Sequence, residues 1–268
     1  MDIRQDFISS LIGAQISSPR LETDIIIKHS MPNYPSYTLE ELEQAKLMLV
    51  RRLNHEPLDK IIGKREFYKY EFKVNSQVLS PRPDTEILVE KAISLINKDE
   101  SIRVLDLGTG SGCIILSILK DCPNVIATAV DISPKSLEIA RQNAYELKVD
   151  DRVEFLEGSW NDIQFTSQYD VIVSNPPYIP TKEIEDLDVE VKKYDPMHAL
   201  DGGSDGLDCY RQIAKISYDL LKKDGYIFLE VGYNQAEIVN DIFAKNKFIP
   251  FEIIKDLSGI NRCVILKK

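Results

Sequence analysis

From residue 101 onward the chain alternates short, almost unbroken apolar runs with longer amphipathic stretches, and no other feature restricts the fold so strongly. The apolar runs read as strands at 103–106, 125–131, 152–156, 169–174, 226–231, 248–254 and 263–266. Helical segments follow Gly112, Ser133, Ser204 and Asn234. A strand that is apolar at successive positions must be covered on both faces. Helices between such strands supply that cover, which implies a doubly wound α/β sheet of mostly parallel strands. Only KDLSGINR separates the last two strands, too short for a parallel crossover, so that return is antiparallel.

The first 65 residues read differently, as a small helical domain. In SSPRLETDIIIKHS, Ser18 is placed to cap a helix whose first position suits Pro19, where a missing N–H costs nothing. Thr38-Leu39-Glu40-Glu41 has the form of a capping box, and Leu42, Ala45, Leu49 and Leu53 continue it at helical spacing until Pro57. Residues 66–85 form a hairpin and linker. EFYKYEFKVNSQVLS alternates like paired strands, and Pro81-Arg82-Pro83-Asp84 leads into a helix with Leu88, Val89, Ala92, Ile93 and Ile96 on one face. Residues 86–268 make up the α/β domain.

Charge narrows the function classes. The net charge is −10, and the first 85 residues hold 12 of the 33 basic and 12 of the 43 acidic side chains, so the whole excess lies in the α/β domain. A strongly acidic domain argues against a dedicated nucleic-acid binder, which must neutralise phosphates. The basic cluster between Lys46 and Lys73 reads as a solvated face before a docking surface. No apolar stretch is long enough to span a membrane, no signal-peptide core is present, and the four cysteines and three histidines lack zinc spacing. The expectation is a soluble cytoplasmic protein with reduced thiols, no metal, and no feature that demands a dimer.

The first α/β strand runs into Asp106-Leu107-Gly108-Thr109-Gly110-Ser111-Gly112. Alternate glycines let the loop turn tightly and bring its backbone against a ligand at the start of the next helix. The second strand ends at Asp131, an acid placed to accept both hydroxyls of a ribose or, equally, to cap the helix behind it. The spacing is not that of the dinucleotide fingerprint. With Asp106 before the glycines and an antiparallel last strand, it favours S-adenosylmethionine. Trp160, the only tryptophan, follows the third strand; its flat face suits an adenine ring or the end of the sheet.

The fourth strand ends in Asn175-Pro176-Pro177-Tyr178, at the carboxyl edge where open α/β sheets bind ligands. An asparagine oxygen accepts one N–H, a carbonyl fixed between two prolines accepts a second, and a tyrosine faces a planar group. The combination clamps a planar –NH₂ and suits methylation of a poor nitrogen nucleophile by alignment rather than by proton abstraction.

With EPLDKIIGKREFYKYEF, VLSPRPDTEILVE, DLGTGSG, SNPPYIP, YDPMHALDGGSDGLDCYR and IFLEVGYNQ, the chain resembles the HemK/PrmC family of peptide chain release factor glutamine methyltransferases over nearly its whole length. The resemblance implies a class I methyltransferase domain and transfer of methyl from S-adenosylmethionine to N5 of the glutamine in the Gly-Gly-Gln motif of class I release factors. It also implies a donor loop at Gly108–Gly112, a ribose acid at Asp131, an adenine-side residue at Trp160 and a clamp at Asn175–Tyr178, with Asn175 also near the donor. An adenine-N6 DNA methyltransferase shares such a clamp but needs base flipping and a basic groove. A non-enzymatic adaptor would not need both halves of the reaction. Arg82, Glu86 and the loop at Asp201-Gly202-Gly203 take no assigned role from the motifs.

Overall fold

The computed structural model describes residues 2–97 and 99–268, which divide into two compact units: residues up to Lys64 together with Asp188–Tyr194, and Arg65–Leu187 together with Asp195–Lys268. In the first unit, α1 (Ile3–Gly13), α2 (Pro19–Ser30), α3 (Leu39–Leu53) and α4 (Leu58–Ile62) enclose a core of Phe7, Leu11, Ile26, Ile27, Met48 and Leu49. The capping box forms, with Glu41 N donating to Thr38 Oγ1 at 3.2 Å and Thr38 N to Glu41 Oε2 at 2.7 Å. Ser18 makes no side-chain cap bond, because its ψ of 56° leaves the extended geometry that aims a capping hydroxyl at the first turn. Pro57 does not end α3. That helix stops at Leu53, and Pro57 instead precedes α4.

The segment Asp188–Tyr194, expected with the α/β domain from its place in the sequence, packs with the helical unit. Arg52 is 3% exposed and donates to Glu22 at 2.5 Å and to Glu190 at 2.7 Å. Lys60 Nζ donates to the Tyr194 carbonyl at 2.6 Å, and the Tyr194 hydroxyl to the Asn54 carbonyl at 2.9 Å. Two members of the basic cluster, Arg52 and Lys60, are therefore buried struts rather than a solvated face.

In the second unit a short hairpin, β1 (Lys64–Phe67, whose first residue groups with the helices) and β2 (Tyr70–Lys73), precedes α5 (Glu86–Leu95). Then follow β3 (Ile102–Leu107), α6 (Cys113–Asp121), β4 (Val125–Asp131), α7 (Pro134–Leu147), β5 (Val153–Glu157) and β6 (Tyr169–Ser174). Beyond β6 come α8 (Val189–Tyr194, in the helical unit), α9 (Asp208–Leu220), β7 (Leu221–Glu230), α10 (Ala236–Lys245), β8 (Ile249–Lys255) and β9 (Asn261–Lys267). The seven-stranded sheet has the order β5-β4-β3-β6-β7-β9-β8, with β9 antiparallel to both neighbours. The sheet order reverses beside β3, where β4 and β6 flank it, and this switch point opens a crevice at the carboxyl edge. One apolar cluster under α5, α6 and α7 covers one face, and Ile172, Tyr210, Ile213, Val239 and Phe243 form the cluster on the other. No helix among the described residues is long and apolar enough to cross a membrane.

Candidate active site

The glycine-rich loop is tied to its neighbours by its own backbone. Gly108 N and Thr109 N both donate to the Val130 carbonyl at 2.9 Å, Gly112 N closes on the Thr109 carbonyl at 2.8 Å, and α6 starts at once behind it. At Gly112 the φ of +81° lies in the left-handed region that favours glycine, and a Cβ there would also press on Leu116 Cδ1 at 2.8 Å.

Beneath the loop lie two carboxylates. Asp131 is 7% exposed; Oδ2 accepts Gly110 N at 2.8 Å and Oδ1 accepts Ser133 N at 2.9 Å. Each oxygen keeps a spare lone pair, so a pair of vicinal hydroxyls fits there. The capping role belongs to Ser133, whose hydroxyl accepts Ser136 N. Burial raises the Asp131 carboxyl above its ordinary range despite those two N–H donors. Asp106 is fully buried. Thr109 Oγ1 donates to its Oδ2 at 2.7 Å, while its Oδ1 has no partner among the described residues. Burial, with Asp131 nearby, pushes the Asp106 carboxyl up to about 7.

A pocket lies above them, inside the second unit. It is lined by Gly108, Thr109, Gly110, Ser111, Asp131, Trp160, Asn175 and Pro177, a mix of close backbone, an acid and an aromatic face that suits a nucleoside. Trp160 stands over Gly108, 3.6 Å from where a Cβ would be, and its Nε1 donates to Gln212 Oε1 at 3.2 Å at the rim. Gly112, Pro176 and Tyr178 do not line the pocket; Gly112 sits at the helix start and Pro176 is buried.

Other lining residues take no role from the sequence: Val78–Arg82 and Thr85 in VLSPRPDTEILVE, Pro196, His198 and Ala199 in YDPMHALDGGSDGLDCYR, and Ile132. Ile132 is apolar yet 62% exposed, and it follows Asp131 directly. Glu86 lies elsewhere and accepts Tyr68 N at 3.0 Å, anchoring the hairpin.

The clamp sequence leaves β6 at Ser174, whose hydroxyl donates to the Leu107 carbonyl at 2.6 Å. Asn175 Nδ2 donates to Thr85 Oγ1 at 3.4 Å. No described residue donates to the Pro176 carbonyl. The Tyr178 hydroxyl donates to Glu230 Oε1 at 3.4 Å, and the Tyr178 carbonyl accepts Gln235 Nε2 at 2.9 Å. The Asp201–Gly203 loop backs this segment: Ile179 N donates to the Leu200 carbonyl at 3.0 Å and Gly202 N to the Ile179 carbonyl at 2.9 Å. Gly206, at φ +76°, approaches so closely that a Cβ would fall 2.4 Å from the Tyr178 carbonyl. Burial above all, and then Glu230, raise the Tyr178 phenol far above its usual value. Burial likewise lifts the Glu230 carboxyl to about 7, against the lowering effects of Thr85, Arg262 and Tyr178.

Residues 98–264 match the family described as a methyltransferase domain. Over 264 residues the chain is 38% identical to a release factor glutamine methyltransferase of Rhodospirillum rubrum, covering 95% of this chain and 81% of that one. The chain belongs to the release factor glutamine methyltransferase family. A bifunctional methyltransferase of Rickettsia felis is 37% identical across 93% of this chain, which spans 54% of that longer protein. Among solved structures, a methyltransferase of Pyrococcus furiosus shares the fold at 16% identity, with a TM-score of 0.56 over 85% of this chain and 98% of its own. Membership makes the crevice described above the candidate active site of a methyltransferase.

Proposed function

We propose that this methyltransferase moves a methyl group from S-adenosylmethionine to the side-chain amide nitrogen, N5, of the glutamine in the Gly-Gly-Gln motif of class I peptide chain release factors, and so supports translation termination in the cytoplasm. The observation that carries this reading is the meeting of two features in one pocket: Asn175 and Pro177 of the clamp share its wall with the glycine loop and Asp131.

The cofactor fits the residues present. The loop offers backbone close to the ligand, Asp131 has free acceptor capacity for the ribose, and Trp160 and Ile132 give apolar surface for the base. Arg82, which also lines the pocket, supplies a cation for the carboxylate of the amino-acid end. Buried acids at the sheet edge favour a positively charged ligand. When bound, S-adenosylmethionine supplies an electrophilic methyl on a sulfonium whose sulfur departs as a neutral thioether.

The chain's own residues have the remaining work, which is orientation. An amide nitrogen is a weak nucleophile because its lone pair is shared with the carbonyl. Asn175 Oδ1 and the Pro176 carbonyl accept its two N–H groups, hold the nitrogen in line with the methyl, and stabilise the positive charge that grows as the N–C bond forms. One N–H proton is then lost to solvent. Asn175 is neutral, so it acts as an acceptor and not as a base.

The test is to incubate the protein with isotopically labelled S-adenosylmethionine and a class I release factor, then measure the mass of the Gly-Gly-Gln peptide. One methyl group on the glutamine is expected, and none on a factor carrying alanine there. Equal labelling of the two factors, or label on an adenine-containing duplex in preference to either, would refute the proposal.

A further inference from the structure

The parallel pairing of β6 with β7 puts Ser174 opposite Leu229, so Asn175 and Glu230 leave the sheet side by side. Between them stands Thr85, from the single 3-10 turn Pro83–Thr85 that opens α5. Both Thr85 and Glu230 are 2% exposed, although neither a free hydroxyl nor a free carboxylate belongs in such a place without partners. Their partners are each other and the clamp. Thr85 Oγ1 donates to Glu230 Oε2 at 2.5 Å, and Asn175 Nδ2 donates to Thr85 Oγ1 at 3.4 Å. Glu230 Oε1 accepts the Tyr178 hydroxyl at 3.4 Å, so a single carboxylate reaches both ends of the Asn-Pro-Pro-Tyr segment.

The consequence comes from counting protons. A threonine hydroxyl has one; when Glu230 is ionised that proton is committed to the carboxylate, which leaves the oxygen only as an acceptor. An asparagine amide beside it must present its –NH₂ on that side, and its oxygen then faces the other way. Turned over, the amide would set oxygen against oxygen at Thr85 and aim –NH₂ at an incoming –NH₂.

We infer that Thr85 and Glu230 are positioning residues that fix the amide of Asn175 with its oxygen toward the substrate, and so give the clamp its acceptor polarity. In this reading both act through Asn175, and Thr85 also lines the pocket. The inference rests on the proposed role of Asn175 as an acceptor for a substrate amide. It adds that this role is imposed from outside the clamp, by residues 90 and 145 positions apart from their partners in the chain.

The test uses the full chain and a release factor as substrate. Thr85→Val keeps the shape and removes the hydroxyl. It should lower kcat by at least about tenfold, while the Kd for S-adenosylmethionine changes by less than about twofold. Thr85→Ser restores the hydroxyl and should return kcat to within about threefold of the parent. A double-mutant cycle then separates orientation from simple packing. Aspartate at position 175 has an oxygen on either side and nothing to orient, so in an Asn175→Asp background Thr85→Val should cost less than about twofold. Loss of the same factor in both backgrounds, or full kcat in Thr85→Val, would overturn the inference. If Thr85→Val does not fold, the same decision falls to Thr85→Ala against Thr85→Ser, compared by kcat at saturating cofactor. A parent protein that methylates no glutamine would instead overturn the functional reading, and the inference with it.

Discussion

Replacing Asp106 with asparagine should make the ligand-free protein more stable at alkaline pH and have far less effect at acid pH. Asp106 is fully buried, has one oxygen held by Thr109 and one without a partner, and its carboxyl is raised from 3.8 to about 7 by burial. A carboxyl whose folded pKa lies above the unfolded value favours the fold most below the unfolded pKa, here 3.8, and that contribution disappears as pH rises through 7. At 1.36 kcal/mol per unit, three units correspond to about 4 kcal/mol withdrawn by pH 8. Between pH 5 and pH 8 the parent should lose about 2–3 kcal/mol relative to Asp106→Asn, which cannot ionise. For a chain of this size that is a growing gap of about 5–10 °C in Tm. Asp131 is raised in the same direction but is retained in both proteins, so its contribution largely cancels. Thermal unfolding of the two proteins at unit steps of pH measures the gap. A gap constant from pH 5 to pH 8 would refute the reasoning, because it would mean that Asp106 ionises in the fold as readily as in water.

Three further outcomes follow from the geometry. Asp131→Ala removes two acceptor oxygens and should raise the Kd for S-adenosylmethionine by about 10- to 100-fold, read by calorimetry, with little change in kcat at saturating cofactor. Asn175→Ala should lower kcat by about 10²–10³ while leaving cofactor affinity within a few-fold, the pattern of a contact made in the transition state. Arg52→Ala strands Glu22 and Glu190 around an emptied strut. Since Glu190 is partly exposed, the cost should be about 2–3 kcal/mol rather than that of a fully enclosed pair, visible as a lower urea midpoint.

Much of the frame was legible because it is local. The strands 125–131 and 169–174 begin and end where their mostly apolar runs do, since central parallel strands are buried on both faces for most of their length. Strand β7 was expected from Tyr226 but begins at Leu221. There Leu221 pairs with Tyr169, and the register then shifts across Lys222-Lys223-Asp224-Gly225, where Asp224 takes a φ of +67°, before pairing resumes at Tyr226. The hairpin is shorter than its alternation implied, because after Lys73 the side chains still alternate while the backbone has no strand partner. Asp188–Tyr194 groups with the helices through Arg52 and Lys60, more than 130 positions away, and no local pattern encodes such a link.

The site divides along the same line. The glycine loop, Asp131 and the Asn175 segment each end a strand with a spacing that chemistry requires, so they stood out one by one. Thr85 and Glu230 did not, since their meaning depends on each other across 145 positions. Yet Glu230 carried a signal. Asp106, Asp131 and Glu230 each occur at or next to the carboxyl end of an apolar strand, in VLDL, TAVD and IFLE, and all three prove to be buried carboxylates pushed upward by burial. An acid that ends a buried strand works against the stability of the resting fold, and strongly raised carboxyls of this kind cluster at functional edges. Two of these acids lie beneath the glycine-rich loop, and the third is linked through Thr85 to the Asn175 amide. Under the proposed function the sheet would offer charge where a cation is to bind and fixed polarity where a neutral nitrogen is to be aligned, and would bear a cost in stability at both places.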